Sequence, residues 1–122
     1  MGKPLVLVTG ISGFIARHCA LELLRSGYGV RGTVRSLRRG AGVKESLATH
    51  TDVAALEFAE ADLESDAGWS AAMAGCRHVL HIASPFPARQ PQDEQDLIRP
   101  AVEGTLRVLR AAVGAKVERF VQ

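Results

Sequence analysis

The chain is poor in the features that mark several common protein classes. Of 122 residues only two are cysteines, Cys19 and Cys76. Both sit within apolar patterns, so buried free thiols in a reducing compartment are expected rather than a disulfide framework. Net charge is only +2, too small a surplus to argue for nucleic acid or an anionic membrane surface. Aromatics are scarce at 5%, and none interleaves with the arginines at 35, 38 and 39, which weakens a nucleic-acid reading further. No apolar run approaches the ~20 residues of a membrane span. The N-terminal apolar run is broken by Thr9 and Gly10 and is too short for a signal core. Val6 stands where a myristoylation site wants Ser or Thr. A cytoplasmic protein is the expectation. His78 and His81 lie three apart in an expected strand and so point to opposite faces. His18 and His50 have no evident partner, and no metal site is predicted.

Apolar residues make up 47% of the chain and charged residues 23%, as in an ordinary globular domain. The length argues for a single domain, residues 1–122. The most informative stretch is Pro4-Leu5-Val6-Leu7-Val8-Thr9-Gly10-Ile11-Ser12-Gly13-Phe14-Ile15-Ala16. A strand-compatible run ends at Thr9, Gly10 and Gly13 follow, and an amphipathic helical pattern begins. This is the strand–turn–helix form of the dinucleotide-binding fingerprint, in the variant T-G-x-x-G-x-x-[GA]. Gly10 allows the turn, Gly13 removes a Cβ where a pyrophosphate must approach, and Ala16 lets helix and strand pack closely. Thr9, Gly10, Ser12, Gly13, Phe14 and Ile15 are therefore candidate cofactor contacts, with the first-turn amides free for an anion. A tight turn without a ligand is the plainer alternative.

Strands are predicted at about 4–9, 29–35, 55–60, 77–83 and from 117 onward. Helices are predicted at about 13–26, 66–75 and 100–113. Residues 36–52 read as a mobile basic loop with a short helix near 43–49. Pro100 suits a helix start better than an interior, so Asp93–Arg99 is read as a separate short helix. Val102, Leu106, Leu109 and Val113 are predicted to form one apolar face. Ser84-Pro85-Phe86-Pro87 should stop the fourth strand, with a loop at 88–92. The alternation of strands and helices predicts an α/β, Rossmann-type doubly wound parallel sheet of order 3-2-1-4-5, cut within strand 5. Any ligand should lie at the carboxyl ends of strands 1 and 4.

The second strand ends without an acid. An NAD site places Asp or Glu there for the ribose 2′-OH, yet no carboxylate lies between Glu22 and Glu45. Arg35, at the carboxyl end, is predicted to pair with a 2′-phosphate, with Lys44 as a second contact. A solvated basic loop is the rival reading. Asp62 could accept from an adenine amine or cap the following helix; from the residues alone the cap is favoured. Ser84 could meet the pyrophosphate or nicotinamide side of a ligand, or be a turn serine.

Taken together, these stretches resemble the extended short-chain dehydrogenase/reductases of the NAD-dependent epimerase/dehydratase superfamily, most of all the dihydroflavonol 4-reductase and cinnamoyl-CoA reductase group. The resemblance rests on Val8–Ala16, Gly27–Arg35, Ala61-Asp62-Leu63, Gly75-Cys76, Val79–Pro85 and Ile98–Thr105. Ala16 departs from the glycine usual in that group. The resemblance implies NADP(H) as cofactor. It places Arg35 and Lys44 at the 2′-phosphate, Asp62 and Leu63 at the adenine, and Ala83 and Ser84 at the ribose and nicotinamide. It implies a reductase of ketones, aldehydes or dihydroflavonol-like substrates. A non-catalytic nucleotide-binding module and an NAD-dependent sugar-nucleotide epimerase or dehydratase half are the rival functions. The family's catalytic serine and Tyr-x-x-x-Lys would lie beyond Gln122, so the 122-residue chain is expected to bind cofactor and to be inactive alone, with no catalytic residue of its own. Self-association through the strand-5 edge, Val117 to Val121, is a further expectation.

Overall fold

A computed structural model of the chain describes residues 3–83 and 94–122, and of 94–101 the helical backbone alone. The elements are β1 (Leu5–Val8), α1 (Phe14–Arg25), β2 (Gly29–Val34), α2 (Arg38–Ala48), β3 (Leu56–Glu60), α3 (Trp69–Met73), β4 (His78–Leu80), α4 (Glu94–Gly114) and β5 (Arg119–Val121). The five strands are parallel, in the predicted order β3-β2-β1-β4-β5. Central β1 pairs Val6 with Val30 on one side and with His78 on the other. An apolar strand of this kind is what a sheet covered on both faces requires.

Strand alternation sends β1 side chains to two cores. Val6 and Val8 join Ala16, Ala20 and Leu24 of α1 with Val43 and Leu47 of α2. Leu7 points the other way, to Trp69, Ala72 and Met73 of α3 and Val108 and Ala112 of α4. Leu7 and Val8 are wholly inaccessible, and each such aliphatic side chain contributes about 1.5–3 kcal/mol on burial.

Three expectations need correction. The predicted basic loop 36–52 is largely helix α2, because Gly40, Val43 and Leu47 recur at helical spacing and face the sheet. The predicted third helix is shorter, since Gly68, in a left-handed conformation, delays its start to Trp69. Helix α4 runs unbroken through Pro100 from Glu94 to Gly114. Packing of its Val108 and Ala112 into the core outweighs the ~3 kcal/mol that an interior proline costs. Val102, Leu106, Leu109 and Val113, predicted to share one face, are all exposed, and the inner face is made by Gly104, Val108 and Ala112. The stop at 84–87 and the loop at 88–92 lie outside the described residues. Among the described residues no helix is long and apolar enough to cross a membrane.

Candidate functional site

The β1–α1 turn is held by β2. Gly10 N–H donates to Thr33 Oγ1 at 2.9 Å, and Ile11 N–H donates to the Thr33 carbonyl at 3.1 Å. Gly13 N–H closes the turn onto the Gly10 carbonyl at 2.9 Å. Gly10 has φ +64, and a Cβ there would come within 2.8 Å of the Ala83 Cβ; only glycine suits both the conformation and the approach. Ile11 turns inward and is wholly buried. Its side chain lies over Gly32 of β2, where any Cβ would meet it at 2.4 Å. The fingerprint thus depends on two glycines from different elements, and Gly32 is the one that spacing within the turn could not reveal.

Helix α1 starts after Gly13 with no side-chain cap and no acid in its first turn. Its first amides carry the positive end of the helix dipole and open toward solvent, a natural anion site. A cleft of about 450 Å³ lies in front of them. It is lined by the turn and first helical residues Gly10, Ser12, Gly13, Phe14, Ile15 and Ala16, by Arg35 and Arg39 after β2, by Asp62, Leu63 and Glu64 after β3, and by Ile82 and Ala83 after β4. The cleft follows the carboxyl ends of the strands, where the strand order reverses about β1 and β4, the position expected for a ligand of this architecture.

The 62–66 segment is built to hold its shape. Asp62 Oδ1 accepts from Glu64 N–H at 3.0 Å, and Trp69 Nε1–H donates to the Asp62 carbonyl at 2.9 Å. Arg107 of α4 bonds Asp66 Oδ1 and the Leu63 carbonyl. Asp62 therefore closes a local turn and does not cap α3, whose N-cap residue is Gly68; the helix-cap reading is corrected. Arg31, two residues before Thr33 on β2, points away from the cleft. It pairs with Glu57 at 3.0 Å and donates to the carbonyls of Ala72 and Ala74 at the end of α3.

Of the residues predicted from sequence, the structure brings Gly10, Ser12, Gly13, Phe14, Ile15, Arg35, Asp62, Leu63 and Ala83 to one cleft. Thr9 is buried beneath it. Lys44 sits exposed on α2 and is not among the lining residues; Arg39, a turn earlier, is. Ser84 lies outside the described residues. Sequence reading passed over Trp69 and Ile82, whose only signals were apolar character. Among the described residues no three His, Cys, Asp or Glu side chains gather as a metal site would need. Cys19 and Cys76 are unpaired, and burial pushes the Cys76 thiol above its ordinary pKa.

The profile of the NAD dependent epimerase/dehydratase family matches residues 6–122. The chain is 38% identical over 120 residues to a dihydroflavonol 4-reductase of Hordeum vulgare, covering 98% of this chain and 34% of that protein. It is 41% identical over 106 residues to a putative anthocyanidin reductase of Ginkgo biloba, covering 87% and 31%. Among solved structures, yeast methylglyoxal/isovaleraldehyde reductase Gre2 complexed with NADPH superposes with a TM-score of 0.78 at 29% identity, over 95% of this chain and 35% of that one. Vestitone reductase from alfalfa superposes with a TM-score of 0.72 at 32% identity, over 97% and 35%. The chain spans about a third of the length of the relatives it matches.

Proposed function

The chain belongs to the NAD dependent epimerase/dehydratase family, and on that premise we propose that residues 1–122 are the cofactor-binding part of an NADP(H)-dependent oxidoreductase acting on C=O and CH–OH groups. The observation that carries this reading is one cleft lined by an uncapped helix N-terminus and by Arg35 and Arg39. Two anion-binding features in one cleft suit a pyrophosphate and a ribose 2′-phosphate. The strand end that would need an acid for an unphosphorylated ribose carries a guanidinium instead.

The residues present suit such a ligand. At Gly13 an added Cβ would meet only the Gly10 carbonyl, at 3.4 Å, so its bare face fronts the cleft. The first-turn amides of Phe14 and Ile15 would hold the pyrophosphate, and Ser12 would add a hydroxyl. Arg35 and Arg39 would hold the 2′-phosphate through charge-assisted hydrogen bonds. Lys44 remains a proposed second contact, from outside the cleft lining. The free oxygen of Asp62, with Leu63, would meet the adenine. Ala83 would border the ribose, with Ser84 following. When bound, the nicotinamide supplies the hydride chemistry, and this chain's residues bind and orient it. No tyrosine or lysine lines the cleft among the described residues. Tyr28 precedes β2 at the opposite, amino end of the sheet, so the 122-residue chain is expected to bind NADPH without reducing a carbonyl. Self-association through β5 is proposed as well, since Val121 is 54% exposed and β5 pairs only with β4 among the described strands.

The test is calorimetric titration of the chain with NADPH and with NADH. A phosphate held by charged hydrogen bonds should favour NADPH by about tenfold or more. Equal affinities would overturn the assignment of NADP(H).

A further inference from the structure

Beneath the cleft lies a polar cluster that cofactor contacts leave unused. Thr9 and His81 are almost fully buried, at 0% and 3% exposure. Thr9 Oγ1 lies 2.9 Å from His81 Nδ1. The same oxygen accepts from Ile82 N–H at 2.9 Å and from Ala83 N–H at 3.0 Å. A hydroxyl has two lone pairs and one proton. Both lone pairs are taken by the amides, so the proton must point at Nδ1, and Nδ1 must be a bare acceptor. The ring proton therefore resides on Nε2, where Thr105 Oγ1 lies 3.4 Å away. Phe120 of β5 packs beside the ring with centroids 5.9 Å apart.

We propose that His81 is a positioning residue for the cleft: as the neutral Nε2–H tautomer it takes the Thr9 proton, which keeps both Thr9 lone pairs on the 82–83 backbone. That backbone is the β4 wall of the cleft, and it is pressed so close to the turn that Gly10 has no room for a Cβ beside Ala83. An imidazolium would reverse the bond. Its Nδ1–H would face a hydroxyl with no free lone pair, and one of the two amide bonds would have to be released. Among the described residues the groups against the ring are Thr9 just after β1, Thr105 from α4 and Phe120 from β5. None of these described groups is charged, and burial lowers the histidine's pKa. The wall is therefore intact at neutral pH and loosens in acid.

The role in cofactor binding rests on the function proposed above; the role in setting the wall does not. The test uses the full chain and two variants. His81→Asn keeps an acceptor near the Nδ1 position and takes up no proton; His81→Leu removes the acceptor. Hydrogen exchange of the Ile82 and Ala83 amides is followed by NMR in a series from about pH 7.5 down to about pH 4, because the lowered pKa puts the transition below the ordinary histidine value. Protection should be lost in acid for the wild type, retained throughout for His81→Asn, and absent throughout for His81→Leu. NADPH affinity should fall about tenfold in His81→Leu, the cost of freeing a buried hydroxyl. The 2′-phosphate itself titrates near ~6, so the diagnostic is a shallower acid loss in His81→Asn than in the wild type. Protected amides in His81→Leu, an Nδ1–H tautomer by imidazole ¹⁵N shifts, or identical acid behaviour of wild type and His81→Asn would overturn the proposal. The expected exchange pattern without any NADPH binding would support the wall-setting role and reject the cofactor reading instead.

Discussion

Helix α1 meets the sheet through Ala16, Ala20 and Leu24, and helix α4 turns Gly104, Val108 and Ala112 inward. The two lie on opposite faces and bury residues at the same interval of four, most of them small. They differ in the fate of their larger apolar side chains. Around α1, Leu21 and Leu23 pack partly against the core shared with α2, and the exposed Phe14 and Ile15 of its first turn line the cleft. Along α4, Val102, Leu106, Leu109 and Val113 stand 38–71% exposed. A stripe of small residues lets a helix backbone approach a sheet closely, and larger residues at the same period then belong to another surface. Hydrophobicity alone does not say which of two helical stripes is the inner one.

The strongest way to probe the tightly packed half is Gly32→Val. Its side chain would overlap Ile11 at the base of the turn, so unfolding in denaturant should show a loss of at least about 3 kcal/mol, at the severe end of overpacking. A neutral effect would mean that Ile11 does not pack as described. The α4 assignment is tested by a pair of truncations. Val108→Ala should cost about 1–3 kcal/mol, whereas Leu109→Ala should stay within about 0.5 kcal/mol. Equal losses would erase the distinction between the two stripes. Asp62→Asn should lower NADPH affinity a few-fold in calorimetry and leave the melting temperature nearly unchanged. The amide oxygen can still accept from Glu64 N–H, while the group facing the ligand becomes an NH2 that cannot accept from the adenine amine. Unaltered binding would remove Asp62 from the site. The smallest stability effect is expected for Val121→Lys. It should reduce self-association in sedimentation velocity, because a charge on an edge strand blocks pairing; a monomeric wild type would dispose of that proposal.

Burial of His81 also predicts a direction for stability against pH. Its folded pKa is lowered, so in mild acid the unfolded chain takes up the proton first. This contribution is complete above the ordinary value near ~6.5 and declines as pH falls from there toward the lowered folded value. His81→Asn should flatten that part of the curve, as measured by denaturant unfolding at several pH values.

Much of this molecule is legible in its sequence where local chemistry leaves one solution. The run Leu5–Val8, the Gly10–Gly13 turn and the missing acid near Arg35 are such places, and strand order and cleft follow from them. Legibility fails where distant partners decide. Gly32 is explained only by Ile11, which reaches it from another element. Arg107 braces the Leu63 carbonyl from more than forty residues away. Pro100 reads as a helix start locally, yet α4 continues through it because packing further along the helix outweighs the cost. His81 reads as a lone strand histidine until Thr9, far away in sequence, is seen to present its hydroxyl.

The central claim is that the end of β2 selects a phosphorylated ribose through Arg35. Its most direct test is a two-by-two cycle of binding free energies: wild type and Arg35→Ala, each titrated with NADPH and NADH under one salt condition. The account predicts that Arg35→Ala weakens NADPH by about tenfold or more, leaves NADH nearly unchanged, and brings the two affinities together. An equal loss for both cofactors, or none for either, would contradict it.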